Sequence, residues 1–478
     1  MTILEQCKKY NKDGEYQKTI DLISTLPEED IPADLHSELA YVLINIANGD
    51  KKIFKEALAI HLLPFSEEMQ GSHSWNYRVA YCYMKLEKEC YALDYFKLAL
   101  KARPGDYDTM KMIEKCTEIV ALPRFDNNYR IKVDGAWKAF IENENVLLSA
   151  LKDNDSTLFA NTYRKIFNPI WPKHYYKILS DGERYTIELS IERLETNIFI
   201  LNYIKQQMPR SLQERWDISI GIAKSKEARN IRYKDIELGL EDFSFHFDKN
   251  NPGYIHVTSN KININDNDDF AYMILDQILV HSFGEIESIQ MAKGYDFLID
   301  KNEELHPLAS LLELYQSKYT QIEHNAERYF DKYEYNYTSE PKDSFNRLRD
   351  DIVAGLSMYD DMIESYNEEE TYLFNDMYST GIIPGFFAIP SEYLSDDSPV
   401  QSGINILSEM EAYTKGKIGN DYFLTTGKAF GIAYFYLEII AFDLPPVVAA
   451  ARDFLQKKGL KNTLFQVFRS DANVVPLS

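Results

Sequence analysis

Residues 72–104, SHSWNYRVAYCYMKLEKECYALDYFKLALKARP, decide how the N-terminal quarter of the chain is read. Val79, Ala80 and Tyr83 recur at the spacing of one helix face, and Ala92, Phe96 and Ala99 mark a matching face on a second helix. The small side chains of Ala80 and Ala92 let the two axes approach, while Tyr83 and Phe96 fill the space beside them. Pro104 then stops the second helix, because its ring clashes with the preceding turn and it has no amide hydrogen to donate.

Two degenerate copies precede this helix pair. In the first, Tyr10 and Thr19 stand across the turn NKDGEY in the places of Tyr83 and Ala92, and Pro27 follows. In the second, Leu39, Ala40 and Ala57 match Val79, Ala80 and Ala92, but the connection ANGDKKIF is several residues too long. Thr19, Ala57 and Ala92 thus fall near a period of about 34 residues with one insertion. Residues 1–120 therefore resemble a bacterial tetratricopeptide repeat array, with one good repeat, two weak ones and a capping helix from Asp106 to Val120. The likeness departs at Trp75, which stands one place before the motif's tryptophan position, taken here by Asn76. A generic stack of helical hairpins is the alternative.

The resemblance implies an N-terminal α-solenoid of about three helix pairs whose first helices line a peptide-binding groove. On this chain the groove residues are Tyr41, Ile44, Tyr77, Tyr81, Met84 and Lys85. Burying Tyr77 or Tyr81 under a partner is worth on the order of 1–2 kcal/mol each in a central hot spot. The groove reads as aromatic and nearly uncharged. Only Lys85 and Asn45 stand where a carboxylate-clamping groove needs its cations and amides, so that subtype is not supported.

With 478 residues the chain exceeds what one core covers, and three regions are expected: 1–122 as the helical array, 123–303 as an α+β domain, and 304–478 as an acidic α+β domain. The first boundary falls at Leu122-Pro123-Arg124-Phe125. An apolar fraction of 45% excludes general disorder. In the middle region, YYKILSDGERYTIELSI reads as a hairpin turning at Asp181-Gly182. RWDISIGIA, EDFSFHFD and GYIHVTS read as further strands, with a turn at Asn250-Asn251-Pro252-Gly253 and one long helix from about Asp268 to Met291. In the last region DDIVAGLSMY, GIIPGFFAIP, GIAYFYLEIIAF and TLFQVFR read as strands, and DLPPVVAAARDFLQKKG as a helix. The fold class is multidomain α+β. Strands do not alternate one for one with helices, so a doubly wound parallel sheet is not expected.

Chemistry is hard to find. The segment GNDYFLTTGKAFG spaces its glycines too widely for a phosphate loop and has Ala429 where magnesium needs a hydroxyl, so Gly427 and Gly431 are read as a turn and a close backbone approach. His281 and Glu285 stand at i, i+4, but two residues do not make a metal site. Asp266, Asp268 and Asp269 lack the glycine and closing glutamate of a calcium loop and are read as helix caps. His246 and His256 are expected to face each other across a hairpin. Cys7, Cys82, Cys90 and Cys116 form no CxxC pair and read as buried thiols. No catalytic residue, metal or cofactor is assigned.

A net charge of −23 argues against nucleic acid and anionic membrane as partners. Between Glu323 and Asp443 stand 8 Lys and Arg against 23 Asp and Glu, a local charge of −15. A solvated surface is the plain reading of that surplus; a docking face for a basic partner is the sharper one. The N-terminal run MTILEQCKKYNKDG has no apolar core before a cleavage site, which makes a cytoplasmic address the expectation. The functional expectation is a cytoplasmic protein–protein adaptor, in its most specific form an immunity-type protein masking a basic nuclease. The alternative is a hydrolase or transferase housed in the α+β region, with the repeats recruiting substrate.

Overall fold

The computed structural model describes residues 2–477 apart from 28–29, 122–127, 173–174, 227–229, 234, 250, 252, 263–268, 298–303, 320, 333–334 and 343–346. The boundary read at Leu122-Pro123-Arg124-Phe125, the residues Asp266 and Asp268, and the Asn250 and Pro252 positions of the expected turn lie outside the described residues. The chain is mixed α+β and divides into two compact units. One comprises Met1–Asp126, Thr338–Gly355 and Asp360–Ser478; the other comprises Asn127–Tyr337 and Leu356–Tyr359.

The first unit begins with eight helices: α1 (Ile3–Lys12), α2 (Tyr16–Ile23), α3 (Ala33–Ile46), α4 (Lys51–Glu56), α5 (Ser66–Met69), α6 (His73–Lys85), α7 (Glu89–Ala102) and α8 (Tyr107–Val120). Thr19, Ala57 and Ala92, the small residues of the three crossings, are all fully buried. Helix α4 runs on into a π-helical turn over Ala57–Leu62. Each pair packs on the next, α1 on α3, α3 on α6 and α7 on α8. A polar chain ties the pairs together. Thr19 Oγ1 donates to Asn11 Oδ1 at 2.7 Å, and Asn11 Nδ2 donates to Glu38 Oε2 at 2.7 Å. Arg78 Nη2 donates to the other oxygen of Glu38 at 3.0 Å.

The second unit opens with the helices α9 (Tyr129–Lys152) and α10 (Ser156–Phe167), then β1 (Tyr176–Ser180), β2 (Tyr185–Leu189), α11 (Glu195–Gln206) and β3 (Trp216–Ile220). The hairpin read from the sequence is present, with Ser180 opposite Tyr185 and Gly182 at φ 97°; β3 joins β2 in parallel. Next come β4 (Ile231–Tyr233), β5 (Ile236–Leu238), β6 (Phe243–Phe247), β7 (Tyr254–Ser259), α12 (Asp269–Phe283), α13 (Glu285–Met291), β8 (Gly294–Asp296), β9 (His306–Pro307) and α14 (Leu311–Lys318). A four-stranded sheet in the order β8-β7-β6-β9 shares one apolar core with α12. The single long helix expected from Asp268 to Met291 is instead two, because Gly284 takes φ 96°, which helical backbone does not allow.

The chain leaves this unit through β10 (Tyr335–Thr338) and completes the first unit with β11 (Ile352–Ser357), α15 (Asp360–Asn367), α16 (Asn375–Thr380), β12 (Ile383–Pro390), α17 (Pro399–Ile418), β13 (Phe423–Gly431), β14 (Tyr434–Ala441), α18 (Leu444–Lys458), β15 (Leu464–Val467) and β16 (Val475–Pro476). From β11 the strands lie in the order β11-β13-β14-β12-β15-β16, and β12 pairs antiparallel with both neighbours and is buried along its whole length. The GNDYFLTTGKAFG run is strand β13. Gly427 follows a bulge inside the strand and is not at a turn, whereas Gly431 is a close approach, since a Cβ there would collide with the Asp351 carboxylate.

At the centre of this part sits Arg349, 1% exposed at its side chain, paired with the fully buried Glu438 at 2.8 Å. Its guanidinium lies 4.9–5.9 Å from the rings of Tyr366, Phe386, Tyr436 and Phe468. Backbone at φ 72°, unusual for arginine, holds the side chain there, and its amide donates to Tyr436 Oη at 3.0 Å.

The helical array and this sheet meet at the start of α7. Thr371 N donates to Glu87 O at 2.8 Å, and Thr371 Oγ1 donates to the Glu89 carboxylate. Arg469 Nη1 donates to Val120 O at 3.0 Å. Lys51 and Lys55 lie 3.8 and 3.7 Å from Glu370 and Glu368.

Two predictions follow from these contacts. Arg349→Met leaves Glu438 buried without its guanidinium and should cost about 3–5 kcal/mol in equilibrium unfolding, whereas Arg349→Met/Glu438→Leu should recover most of that loss. Burial raises the Glu89 carboxyl pKa above its usual 4.5, with the Thr371 hydroxyl opposing. The folded unit therefore holds that proton more tightly than the unfolded chain, and stability falls as pH rises from about 4.5 through the shifted value. Glu89→Gln should flatten that stretch of the melting-temperature profile; an unaltered profile would assign the dependence elsewhere.

Candidate functional site

Five of the six expected groove residues converge on one concavity of about 460 Å³: Tyr41, Ile44, Tyr77, Tyr81 and Lys85. They come from α3 and α6, which neighbour each other in the array. Met84 is not among them. It packs with Ala80, Leu93 and Phe96 between α6 and α7, because it lies one step further round the helix than Lys85.

The Tyr77 and Tyr81 rings are nearly parallel, with centroids 6.4 Å apart. Phe96 meets Tyr77 edge-on at 5.3 Å from below, and Phe54 lies 6.5 Å from Tyr81. Burial raises the Tyr77 hydroxyl pKa, and Asp108, Tyr81 and Asp106 add to the rise. The hydroxyls of Tyr41, Tyr77 and Tyr81 make no hydrogen bond among the described residues. Lys85 stands 5.5 Å above the Tyr81 ring and makes no ion pair there either.

Sequence reasoning missed Arg78, which also lines the concavity and makes it less neutral than expected. Its guanidinium lies 5.0 Å from the Tyr41 ring while donating to Ser37 O at 2.8 Å and to Glu38. The spacing Arg78, Tyr81, Lys85 was a readable signal, since steps of three and four share one helix face. The rim residues Asn48 and Gly49 have positive φ, 46° and 94°. They belong to the overlong ANGDKKIF connection, so the insertion that weakened the repeat pattern builds one wall of the site.

A second concavity of about 360 Å³ in the same unit is lined by Arg347, Asp351, Tyr434, Gln466 and Ser470 among others. Its ionisable groups are already engaged. Asp351 accepts from the amides of Ala433 and Tyr434, both at 2.9 Å, and from Tyr436 Oη. Gln466 accepts from Tyr366 Oη at 3.1 Å and donates to Ala472 O at 2.7 Å, while Arg347 binds Asp350 and Glu369. These contacts assemble the sheet and leave little for a substrate.

In the second unit the His281–Glu285 pair does not form a site. Glu285 begins α13 and accepts from Ser190 Oγ at 2.6 Å and from the amides of Ile191 and Ile222 at 3.1 and 3.0 Å, so it splices two loops. His246 and His256 do stand opposite each other, with rings 4.6 Å apart. His256 is bracketed by Asp296 at 2.7 Å and Asp248 at 3.1 Å. Partial burial disfavours the imidazolium, yet these two carboxylates raise its pKa overall. Among the described residues no cluster of three or more His, Cys, Asp or Glu is placed to hold a metal ion, and no helix is long and apolar enough to cross a membrane. No family model, curated protein or solved structure matches the chain.

The polar chain through Glu38 supports the Arg78 wall of the concavity. Glu38→Ala strands both Asn11 and Arg78 and should cost about 3 kcal/mol in chemical unfolding. Ser24→Ala, an exposed change in the same array, should leave stability within about 0.5 kcal/mol.

Proposed function

We propose that the chain is a cytoplasmic protein-binding scaffold, in which a tetratricopeptide-like solenoid of three helix pairs presents the Tyr41–Tyr77–Tyr81 concavity to a segment of a partner protein. The observation that carries this reading is the convergence of five residues from two helices on one open, aromatic concavity whose hydroxyls have no partner within the described chain. Stacked tyrosines supply apolar area at low conformational cost, and their hydroxyls add direction to the contact. The docked sheet supports the reading as well, because it covers the start of α7 while α3 and α6 keep the concavity open. An enzymatic role has less support, since the buried carboxylates of Asp351 and Glu285 are spent on backbone amides and hydroxyls.

A photo-crosslinking residue placed at Asn48, on the rim, should give one dominant adduct in cells, and Tyr77→Ala/Tyr81→Ala should abolish it. The same crosslinker at the exposed Val400 should not give that adduct. An Asn48 adduct indifferent to the tyrosines, or shared equally with Val400, would remove the assignment.

A further inference from the structure

We infer that the segment received by this concavity is acidic: an Asp or Glu side chain beside an aromatic or branched apolar anchor. This rests on the binding-scaffold reading above and departs from the expectation of a basic partner. The charged side chains lining the concavity are Arg78 and Lys85, and no carboxylate lines it. Arg78 is largely neutralised by Glu38, with the pair at 3.0 Å and 12% and 5% exposed. Lys85 is exposed and has no carboxylate partner among the described residues.

The three phenolic hydroxyls and the Asn48 side-chain amide add donors that an anion can use, whereas Asn45 Nδ2 already donates to Tyr41 O at 2.7 Å. Asp106 and Asp108 act on Tyr77 from outside the concavity and do not line it. Asp106 accepts from Thr109 Oγ1 at 2.6 Å and lies 3.4 Å from His73, and Asp108 belongs to the exposed first turn of α8. Phe54, Ile44 and the tyrosine faces define where the apolar anchor sits, and Lys85 over Tyr81 defines where the carboxylate sits.

The acidic surplus elsewhere in the chain offers a basic ligand less than its count suggests. Asp350, Asp351, Glu438 and Asp443 are buried. Glu368, Glu369 and Glu370 face Lys55, Arg347 and Lys51, and Glu409 and Glu411 face Lys458 and Lys415. The overall charge of −23 still opposes a polyanion such as nucleic acid, so the occupant is a peptide with a local acidic group.

The test is selection from a random peptide library on the full chain, with Tyr77→Ala/Tyr81→Ala for subtraction. Asp or Glu next to an aromatic or aliphatic residue should be enriched. Replacing that acid by Gln in a selected peptide should weaken binding roughly three- to tenfold. Lys85→Gln should erase this difference, and Lys85→Glu should reverse it in favour of Lys peptides, with the thermal melt unchanged because Lys85 is exposed. Enrichment of basic peptides, or a preference indifferent to residue 85, would overturn the charge assignment while leaving the groove as the binding site. Failure to select any peptide over the double-alanine protein would reject the groove itself and this inference with it. A single-stranded oligonucleotide displacing the best acidic peptide would overturn the choice of ligand class.

Discussion

One buried carboxylate sets the geometry on which the helical array depends. Glu38 accepts from Asn11 on one side and from Arg78 on the other, and Asn11 in turn accepts from Thr19. The four residues come from α1, α2, α3 and α6, so the chain of donors and acceptors closes only when all three helix pairs stand in one register. Apolar packing alone is tolerant of sliding, because ridges and grooves repeat along a helix. Burying these groups is costly unless each finds its partner, and that cost penalises other registers. The same contact holds Arg78 against Tyr41, whose ring meets Tyr16 edge-on at 6.4 Å. The wall of the concavity is therefore part of the device that aligns the array.

Much of this architecture is legible in the amino-acid order, for reasons that vary by element. The helix pair at 73–102 shows because Ala80 and Ala92 must be small and Phe96 must be large, constraints that leave a mark on composition. Strand β7 shows because Ile255 and Val257 are buried and their neighbours are not, whereas β2 and β6 show by their alternating residue types although Ile187, Glu188 and Leu189, and Phe245, His246 and Phe247, are buried in a row. Strand β13 does not show. Its burial recurs at every third position, Phe423, Thr426 and Ala429, because a bulge shifts the register between Thr425 and Gly427. Helix α17 escaped for a different reason: among its twenty residues only Gly403, Leu407, Met410 and Thr414 are buried, too thin an apolar stripe to stand out. For the site, a face spacing of three or four cannot separate Met84 from Lys85 without the neighbouring helix. Arg78, flanked by Tyr77 and Val79, does not stand out in a groove pattern defined by aromatic residues.

What no local pattern carries is the joining of Met1–Asp126 to Asp360–Ser478 in one unit. The hydrogen bonds of Thr371 with Glu87 and Glu89 span more than 280 residues. Nothing in either segment announces the other, since threonine and glutamate are residue types that usually stand at the surface, although Thr371 and Glu89 are buried here. Helix pairs stacked side by side leave an apolar face uncovered at each end of the stack, so the three pairs here need cover there. Here the returning chain supplies cover at the start of α7 and at the end of α8, through Thr371 and Arg469.

That arrangement has a kinetic side. The second unit, Asn127–Tyr337, lies between the two segments in sequence, so the first unit can close only after more than 200 intervening residues have been made. Closing so long a loop costs entropy that grows only slowly with length, but it delays the contacts that offset it. Until the closure, α7 leaves Glu89 and its neighbours open to water, where a carboxylate is at ease. After it, Glu89 is buried and bonded to Thr371. A carboxylate and a hydroxyl at that junction tolerate the unpaired chain better than two apolar side chains would, and they bond to each other once the segments meet.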